Sequence, residues 1–154
     1  MPQARIVGIE PASDNVELAR KNTAHNPLIE IVEAAVYDRP AVLELVDPTA
    51  QKFAFRIRES RDPTATPIRA VTIGSLMKRY QVERILIVKV DIEGAEAELF
   101  RSGTDWLDSA ALLTVETHDW LFPGKGTSHS LFAALAGRKF EVIHKGEYIS
   151  FFFT

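Results

Sequence analysis

The chain has 154 residues, of which 46% are hydrophobic and 25% are charged, with a formal net charge of −3 and no cysteine. This composition is typical of one globular domain, and its slight negative charge argues against nucleic acid as the main partner. The lack of cysteine excludes disulfides and thiolate metal sites, and no apolar run is long enough to span a membrane, so we expect a cytoplasmic protein without a membrane partner.

The first half of the chain alternates predicted strands with predicted helices. Apolar or alternating runs predict strands at residues 5–10, 29–37, 41–46, 53–57 and 68–72. The two runs at 41–46 and 53–57 alternate apolar with polar side chains, so we expect an antiparallel hairpin with one wet face. Helices are predicted at residues 13–25 and 73–80.

A nearly unbroken apolar run at residues 84–92 predicts a parallel strand that is buried on both faces. Lys89, Asp91 and Glu93 fall at alternate positions, so an extended chain places all three on one face near the end of the strand. Charges are tolerated best where a strand emerges into a crevice, and open α/β sheets bind ligands there. An ion pair between Lys89 and a carboxylate that merely finishes the strand is an equally good interpretation.

The second half is predicted to continue the alternation. A helix with Glu96 near its positive end runs to about Gly103. A strand over residues 111–118 ends in Glu116 and His118. In the loop that follows, Trp120 suits either a packed anchor or a surface on which a sugar or an aromatic ring stacks.

The C-terminus is predicted to be a helix over residues 130–138 and a hairpin of residues 140–144 and 148–153. Residues 151–153 are all Phe, so the last strand is apolar on both faces and we expect it inside the sheet rather than at an edge. Strands that alternate with helices and end in a hairpin indicate a doubly wound α/β domain, mostly parallel with an antiparallel C-terminal strand.

Four predicted strand exits carry small or polar groups, and parallel strands bring such exits to one rim. An acid at an early exit, as Glu10 is, can accept hydrogen bonds from both hydroxyls of a ribose, although a solvated strand-end acid is the simpler interpretation. Ala34 and Ala35 leave room for a flat adenine, or reflect tight packing. At the later exits, Asp91 and His118 are the candidates for acid–base chemistry. The spacing of these residues matches no dedicated metal motif, so no metal site is predicted.

The segment Lys89–Glu96, with the sequence K-V-D-I-E-G-A-E, closely resembles the K-I-D-V-E-G-A-E signature of FkbM-type methyltransferases. Three weaker motifs fall in register with that family: the second-strand motif at residues 9–11, the third-strand exit at 34–36 and the fifth-strand exit at 115–118. The resemblance implies a Rossmann-like fold, S-adenosylmethionine as methyl donor, and O-methylation of a small-molecule hydroxyl on a sugar or secondary metabolite.

Site residues follow from the resemblance in the same way. It implies that Glu10 holds the cofactor ribose and that Ala34 and Ala35 border the adenine. Asp91 and Glu93 would lie near the transferred methyl group, with Asp91 also binding cofactor. The base would be His118 or Asp91.

One feature departs from the family pattern. In this fold the ribose acid lies roughly 20 residues after a Gly-rich turn, whereas only nine residues precede Glu10. We therefore expect residues 1–154 to be a partial methyltransferase domain that lacks the first strand and helix. Two alternatives stay open: a truncated, non-catalytic domain that associates through exposed strands, also as a homo-oligomer, and a nicotinamide-binding Rossmann domain.

Overall fold

The computed structural model describes residues 4–46, 56–60, 66–93 and 95–154. They fall into two compact units. The first takes its described residues from Met1–Val36 and Pro40–Val71, and the second from Tyr37–Arg39 and Thr72–Thr154. The assignment of residues 1–154 to a single domain stays a prediction. None of the helices in the described ranges has the length and apolar character that a membrane span requires.

The first unit contains one helix and six strands in its described part. In chain order they are β1 (Ile6–Glu10), α1 (Ser13–Thr23), β2 (Ile29–Glu33), β3 (Ala35–Val36), β4 (Val42–Val46), β5 (Arg56–Glu59) and β6 (Ile68–Val71). One sheet pairs β1 with β2 in parallel, and the other has the order β3-β6-β4-β5. The antiparallel pairing of the predicted hairpin is confirmed, because β4 pairs with β5 in this way; Glu44 of β4 is buried, however, so its polar side chain does not form the expected wet face. Residues 53–55 lie outside the described residues.

The described part of the second unit contains three α-helices and four strands. They are α2 (Ile73–Tyr80), β7 (Ile85–Val90), α3 (Glu96–Leu99), β8 (Ala110–Glu116), α4 (His129–Leu135), β9 (Phe140–Lys145) and β10 (Tyr148–Phe153). Short 3-10 helices cover Thr104–Ser109 and Asp119–Leu121. The strand order is β7-β8-β10-β9, with β7 parallel to β8 and β10 antiparallel to both of its neighbours.

The position of β10 confirms that the last strand is inserted inside a sheet. Phe151 of this strand is buried, and its ring meets Phe140 edge to face with centroids 5.2 Å apart. Aromatic rings prefer this geometry because the positive edge of one faces the negative face of the other. A strand that contributes apolar side chains to both faces thus gains packing that an edge position would not provide.

The sheet differs from the single, mostly parallel one that the sequence predicts. The described strands form three sheets, and antiparallel pairs occur in two of them. The predicted strand over 29–37 breaks at Ala34, whose N–H donates to the Glu10 carbonyl oxygen at 3.1 Å, and the chain then leaves β1 to pair with β6. The α/β class is confirmed, whereas a Rossmann-like sheet is not what these strand pairings show.

Two predictions around β7 are wrong. The strand is not buried on both faces, because it pairs only with β8 among the described strands and exposes Leu86 and Ile87. The following helix does not run to Gly103, since α3 spans only Glu96–Leu99.

The buried carboxylate of Asp38 forms hydrogen bonds that link the segment 37–39 to the residues just after α3. The side chain of Asp38 is 1% exposed and accepts two hydrogen bonds from Arg101, at 3.0 and 3.2 Å, and one from Ser102 at 3.0 Å. Burial alone would raise the pKa of Asp38, but the hydrogen bonds from Arg101 and Ser102 and the charges of Arg101 and Arg39 prevail, so its pKa lies below the ordinary value.

This network makes a prediction about acid stability. The folded-state pKa of Asp38 is lowered, so its stabilising contribution is present above the ordinary value near 3.8 and is lost as pH falls through the folded-state value. We expect Asp38→Asn to lower the free energy of unfolding at neutral pH, and the gap from wild type to shrink below about pH 5. Urea unfolding at a series of pH values measures this gap.

Asp105→Asn, at an exposed position of the same unit, is the matched control for removing an acidic side chain. A gap between wild type and Asp38→Asn that stays constant down to acid pH would contradict the role of the Arg101 pair.

Candidate functional site

A buried histidine–carboxylate pair lies where β8 ends. His118 follows the strand by two residues, and its Nδ1 is 2.7 Å from Oε1 of Glu96 at the start of α3. The two side chains are only 2% and 1% exposed. A carboxylate oxygen accepts, so Nδ1–H donates, and this bond fixes both the tautomer and the orientation of the ring.

The other ring nitrogen of His118 faces two further carboxylates. Its Nε2 is 3.6 Å from Glu93 Oε2 and 3.6 Å from Glu116 Oε1. Both distances exceed a normal hydrogen bond. Glu93 holds its position from the turn after β7 with a backbone φ of 52°, a left-handed conformation that is unfavourable for a side chain of this kind.

Strand register explains why these groups meet. The parallel pairing of β7 with β8 aligns Val90 with Val115, so the residues just beyond each strand leave the sheet side by side. Asp91 and Glu93 follow one strand, and His118 follows the other. One ligating atom from each of these three residues lies within 4.8 Å of the others.

The carboxylate of Asp91 also contacts two further side chains, Lys89 and Tyr148. Its Oδ2 is 2.7 Å from Lys89 Nζ and accepts a hydrogen bond from the Tyr148 hydroxyl at 3.3 Å. Lys89 Nζ lies 5.0 Å from the centre of the Tyr148 ring, within reach of a cation–π contact. The ion pair that the sequence left as an alternative is therefore present, and it coexists with the cluster around His118.

The electrostatics of the cluster favour added positive charge. Burial opposes protonation of His118, but the hydrogen bond that it donates to Glu96 and the charges of Glu96, Glu93 and Glu116 prevail and raise its pKa. Burial raises the pKa of the Glu93 carboxyl, and although the charge of His118 lowers it, the neighbouring carboxylates Asp91, Glu116 and Glu96 add to the rise. The neighbouring carboxylates contribute to the rise in both pKa values, beside the larger effect of burial at Glu93.

In the first unit, Glu10 ends β1 beside the end of β2. Its Oε1 accepts a hydrogen bond from Ala12 N–H at 2.8 Å, which orients the carboxylate at the start of α1. Ala34 follows β2 and is buried together with Ala35. The three residues predicted to line the ribose and adenine thus lie at neighbouring strand ends.

Residues 1–142 match the family model described as "Methyltransferase FkbM domain". The chain belongs to this family. The family assignment confirms the resemblance drawn from the K-V-D-I-E-G-A-E segment. Neither the curated proteins nor the solved structures gave a match to the chain.

Within this FkbM domain, the structure brings three predicted residues together: Asp91, Glu93 and His118. Sequence reasoning missed Glu96 as their partner, because a glutamate at the start of a helix is already explained by the helix dipole. The signal that was available is its spacing: Glu93 and Glu96 are only three residues apart in the sequence, which allows both to reach one neighbour. The catalytic and cofactor roles of the six named site residues stay predictions.

The buried pair predicts a large cost for removing one member. Glu96→Ala leaves the Nδ1–H of a buried His118 without this acceptor, and we expect the free energy of unfolding to fall by about 1–3 kcal/mol. Urea unfolding followed by far-UV circular dichroism measures the change.

Glu98→Ala is the matched control, because it makes the same substitution in α3 at a less buried side chain. We expect a change within about 0.5 kcal/mol for this variant. Equal costs for the two variants would contradict a structural role for the Glu96–His118 bond.

Proposed function

We propose that the chain acts as an S-adenosylmethionine-dependent O-methyltransferase on a small-molecule hydroxyl, of a sugar or a secondary metabolite. The observation that carries this proposal is the convergence of Asp91 and Glu93, from the family motif, on His118. Family membership supports methyl transfer. The donor, the hydroxyl acceptor and the residue roles belong to the proposal.

The residues of the first unit suit a nucleoside cofactor. Glu10 offers a carboxylate at a strand end, held through Oε1 by Ala12 N–H, and among the described residues Oε2 has no hydrogen-bond partner. That oxygen is available to accept from a ribose hydroxyl. Ala34 and Ala35 would border the adenine, where small side chains permit close approach. S-Adenosylmethionine would supply an activated methyl group.

The second unit would handle the acceptor hydroxyl. Methyl transfer to oxygen needs a donor and an acceptor in line and a group that takes the hydroxyl proton. His118 Nε2 and the Asp91 carboxylate are the two candidates for that proton. Trp120 is 71% exposed and so is not itself a packed anchor of its loop, and its ring centroid is 6.4 Å from that of His118. An exposed indole next to carboxylates suits an acceptor with one apolar face and several hydroxyls.

A second candidate function is association without catalysis. β7 lies at a sheet edge among the described strands and exposes Leu86 and Ile87, a combination that invites pairing with another strand. Sedimentation that shows a homo-oligomer, together with no cofactor binding, would favour this candidate. A monomer that binds S-adenosylmethionine would contradict it.

A substitution at Glu10 that replaces one carboxylate oxygen by an amide nitrogen tests the proposed cofactor site. Glu10→Gln keeps an oxygen that can accept from Ala12 N–H but loses the charge and one acceptor. We expect affinity for S-adenosylmethionine to fall roughly tenfold or more, as for loss of a hydrogen bond to a charged group. Isothermal titration calorimetry measures the affinity of each variant.

The control is Glu17→Gln, an exposed glutamate of α1 that pairs only with Lys21 among the described residues. Undiminished affinity in Glu10→Gln would count against the ribose role of Glu10. No measurable binding by the wild-type chain would count against S-adenosylmethionine as the cofactor.

A further inference from the structure

We propose that Asp91, Glu93 and His118 form a binding site for a divalent transition-metal ion of the Mn²⁺ type. Ion binding itself is independent of the methyltransferase proposal, whereas a catalytic role for the ion rests on it. Three observations carry the site: the spacing of the donor atoms, the orientation of a buried imidazole, and an excess of carboxylates.

The spacing is close to what an ion requires. A donor atom from each of Asp91, Glu93 and His118 lies within 4.8 Å of the other two. Ligands about 2.1 Å from a common ion lie at most about 4.2 Å apart, so side-chain shifts of roughly half an ångström complete the set. The side chains of Glu93 and Asp91 are each 30% exposed, and such side chains can make this adjustment without repacking the core.

The orientation of His118 provides the second observation. Its ring is 2% exposed, and Nδ1 is bound to Glu96, which leaves the Nε2 lone pair directed at the carboxylates. Nε2 lies 3.6 Å from both Glu93 and Glu116, and no hydrogen bond to it is found among the described residues. A carboxylate that holds one nitrogen of a histidine while the other binds metal is a recurrent arrangement at metal sites.

The third observation is charge. Four carboxylates surround His118 or meet it in the cluster: Asp91, Glu93, Glu96 and Glu116. Lys89 is bound to one of them, Asp91. Even with His118 protonated, negative groups outnumber positive ones. A divalent ion would neutralise this excess and replace the proton on Nε2.

The donor set favours one class of ion. Carboxylate oxygens alone suit Mg²⁺ and Ca²⁺, while imidazole suits Zn²⁺, Fe²⁺ and neighbouring transition metals. One imidazole with two carboxylates is a mixed set, which Mn²⁺ accepts and Mg²⁺ accepts poorly. Without thiolate ligands the site lacks the donors that select strongly for soft metals.

An ion at this position would change the assignment of the base. Nε2 cannot hold an ion and accept a proton at once, so His118 becomes a ligand in the loaded protein. An acceptor hydroxyl that binds an open position of the ion has a lowered pKa. The hydroxyl proton would then pass to solvent water, because His118 and Asp91, the two candidate bases, would both be ligands of the ion.

The test is binding of Mn²⁺ alone to the untagged full chain. Free Mn²⁺ has a sharp paramagnetic resonance signal that is lost on binding, and calorimetry gives the affinity without any turnover. We expect one Mn²⁺ per wild-type chain and weaker binding of Mg²⁺. Glu93→Gln and His118→Gln should each lower Mn²⁺ affinity at least about tenfold, and Glu96→Gln about 10–100-fold as a positioning residue.

Glu141→Gln and His144→Gln make the same substitutions on the exposed strand β9 and should leave Mn²⁺ affinity unchanged. Circular dichroism shows whether each variant is folded, and Asp91→Asn replaces any ligand variant that is not. Absence of Mn²⁺ binding by wild type would overturn the proposal, as would equal affinities in the ligand and control variants. Because no methyl donor is present, this result is separate from the outcome of the Glu10 test.

Discussion

The hydrogen bond between Glu96 and His118 is the contact on which the candidate site depends. Both side chains are almost fully buried, and each would be costly to bury alone. Together they join the start of α3 to the segment after β8. Because Nδ1 is engaged, the imidazole has one orientation, and its second nitrogen faces Glu93 and Glu116. A solvated histidine at the same place would rotate and present no defined lone pair.

The parallel pairing of β7 with β8 supplies the rest of the geometry. Its register sets Val90 beside Val115, so the charged residues of two distant segments leave the sheet at one edge. Antiparallel pairing would send these ends to opposite edges. The sheet therefore brings Asp91 and His118 close together, although 27 positions separate them along the chain. Local sequence cannot do this.

Much of this site follows from the sequence, and the exceptions have physical causes. Alternation predicts that Asp91 and Glu93 lie on one face of an extended strand; the two do lie close together, although β7 ends at Val90 and Glu93 has a left-handed backbone. The end of the next strand singles out His118. Glu96 is missed because an acidic residue at the start of a helix is already explained by the helix dipole. Its actual partner, His118, is 22 residues away in the sequence. In the same way, an apolar run cannot show that β7 has a neighbour on only one side. Helix and strand propensities are properties of a single segment. They do not show which other strand or which side chain that segment contacts in the folded protein.

The break at Ala34 illustrates the same limit in the first unit. Residues 29–37 are apolar enough for one strand, yet the hydrogen bond from Ala34 N–H to the Glu10 carbonyl is the last one to β1. The two residues that follow pair with β6 instead. A change of partner strand thus divides what pattern alone treats as one element, and it does so at the residues proposed to border the adenine.

The excess of carboxylates links the proposed reaction to the proposed ion. Carboxylates next to a cationic methyl donor stabilise its charge before transfer more than after, since that charge is consumed as the methyl group moves. Such groups alone would favour the ground state over the transition state. The acceptor oxygen becomes negative when its proton is removed, and a divalent ion at Asp91, Glu93 and His118 would stabilise that alkoxide while neutralising the carboxylates. With a cation bound, the same cluster would then favour deprotonation of the acceptor, which gives a physical reason for a methyltransferase to place an oriented imidazole among four acids.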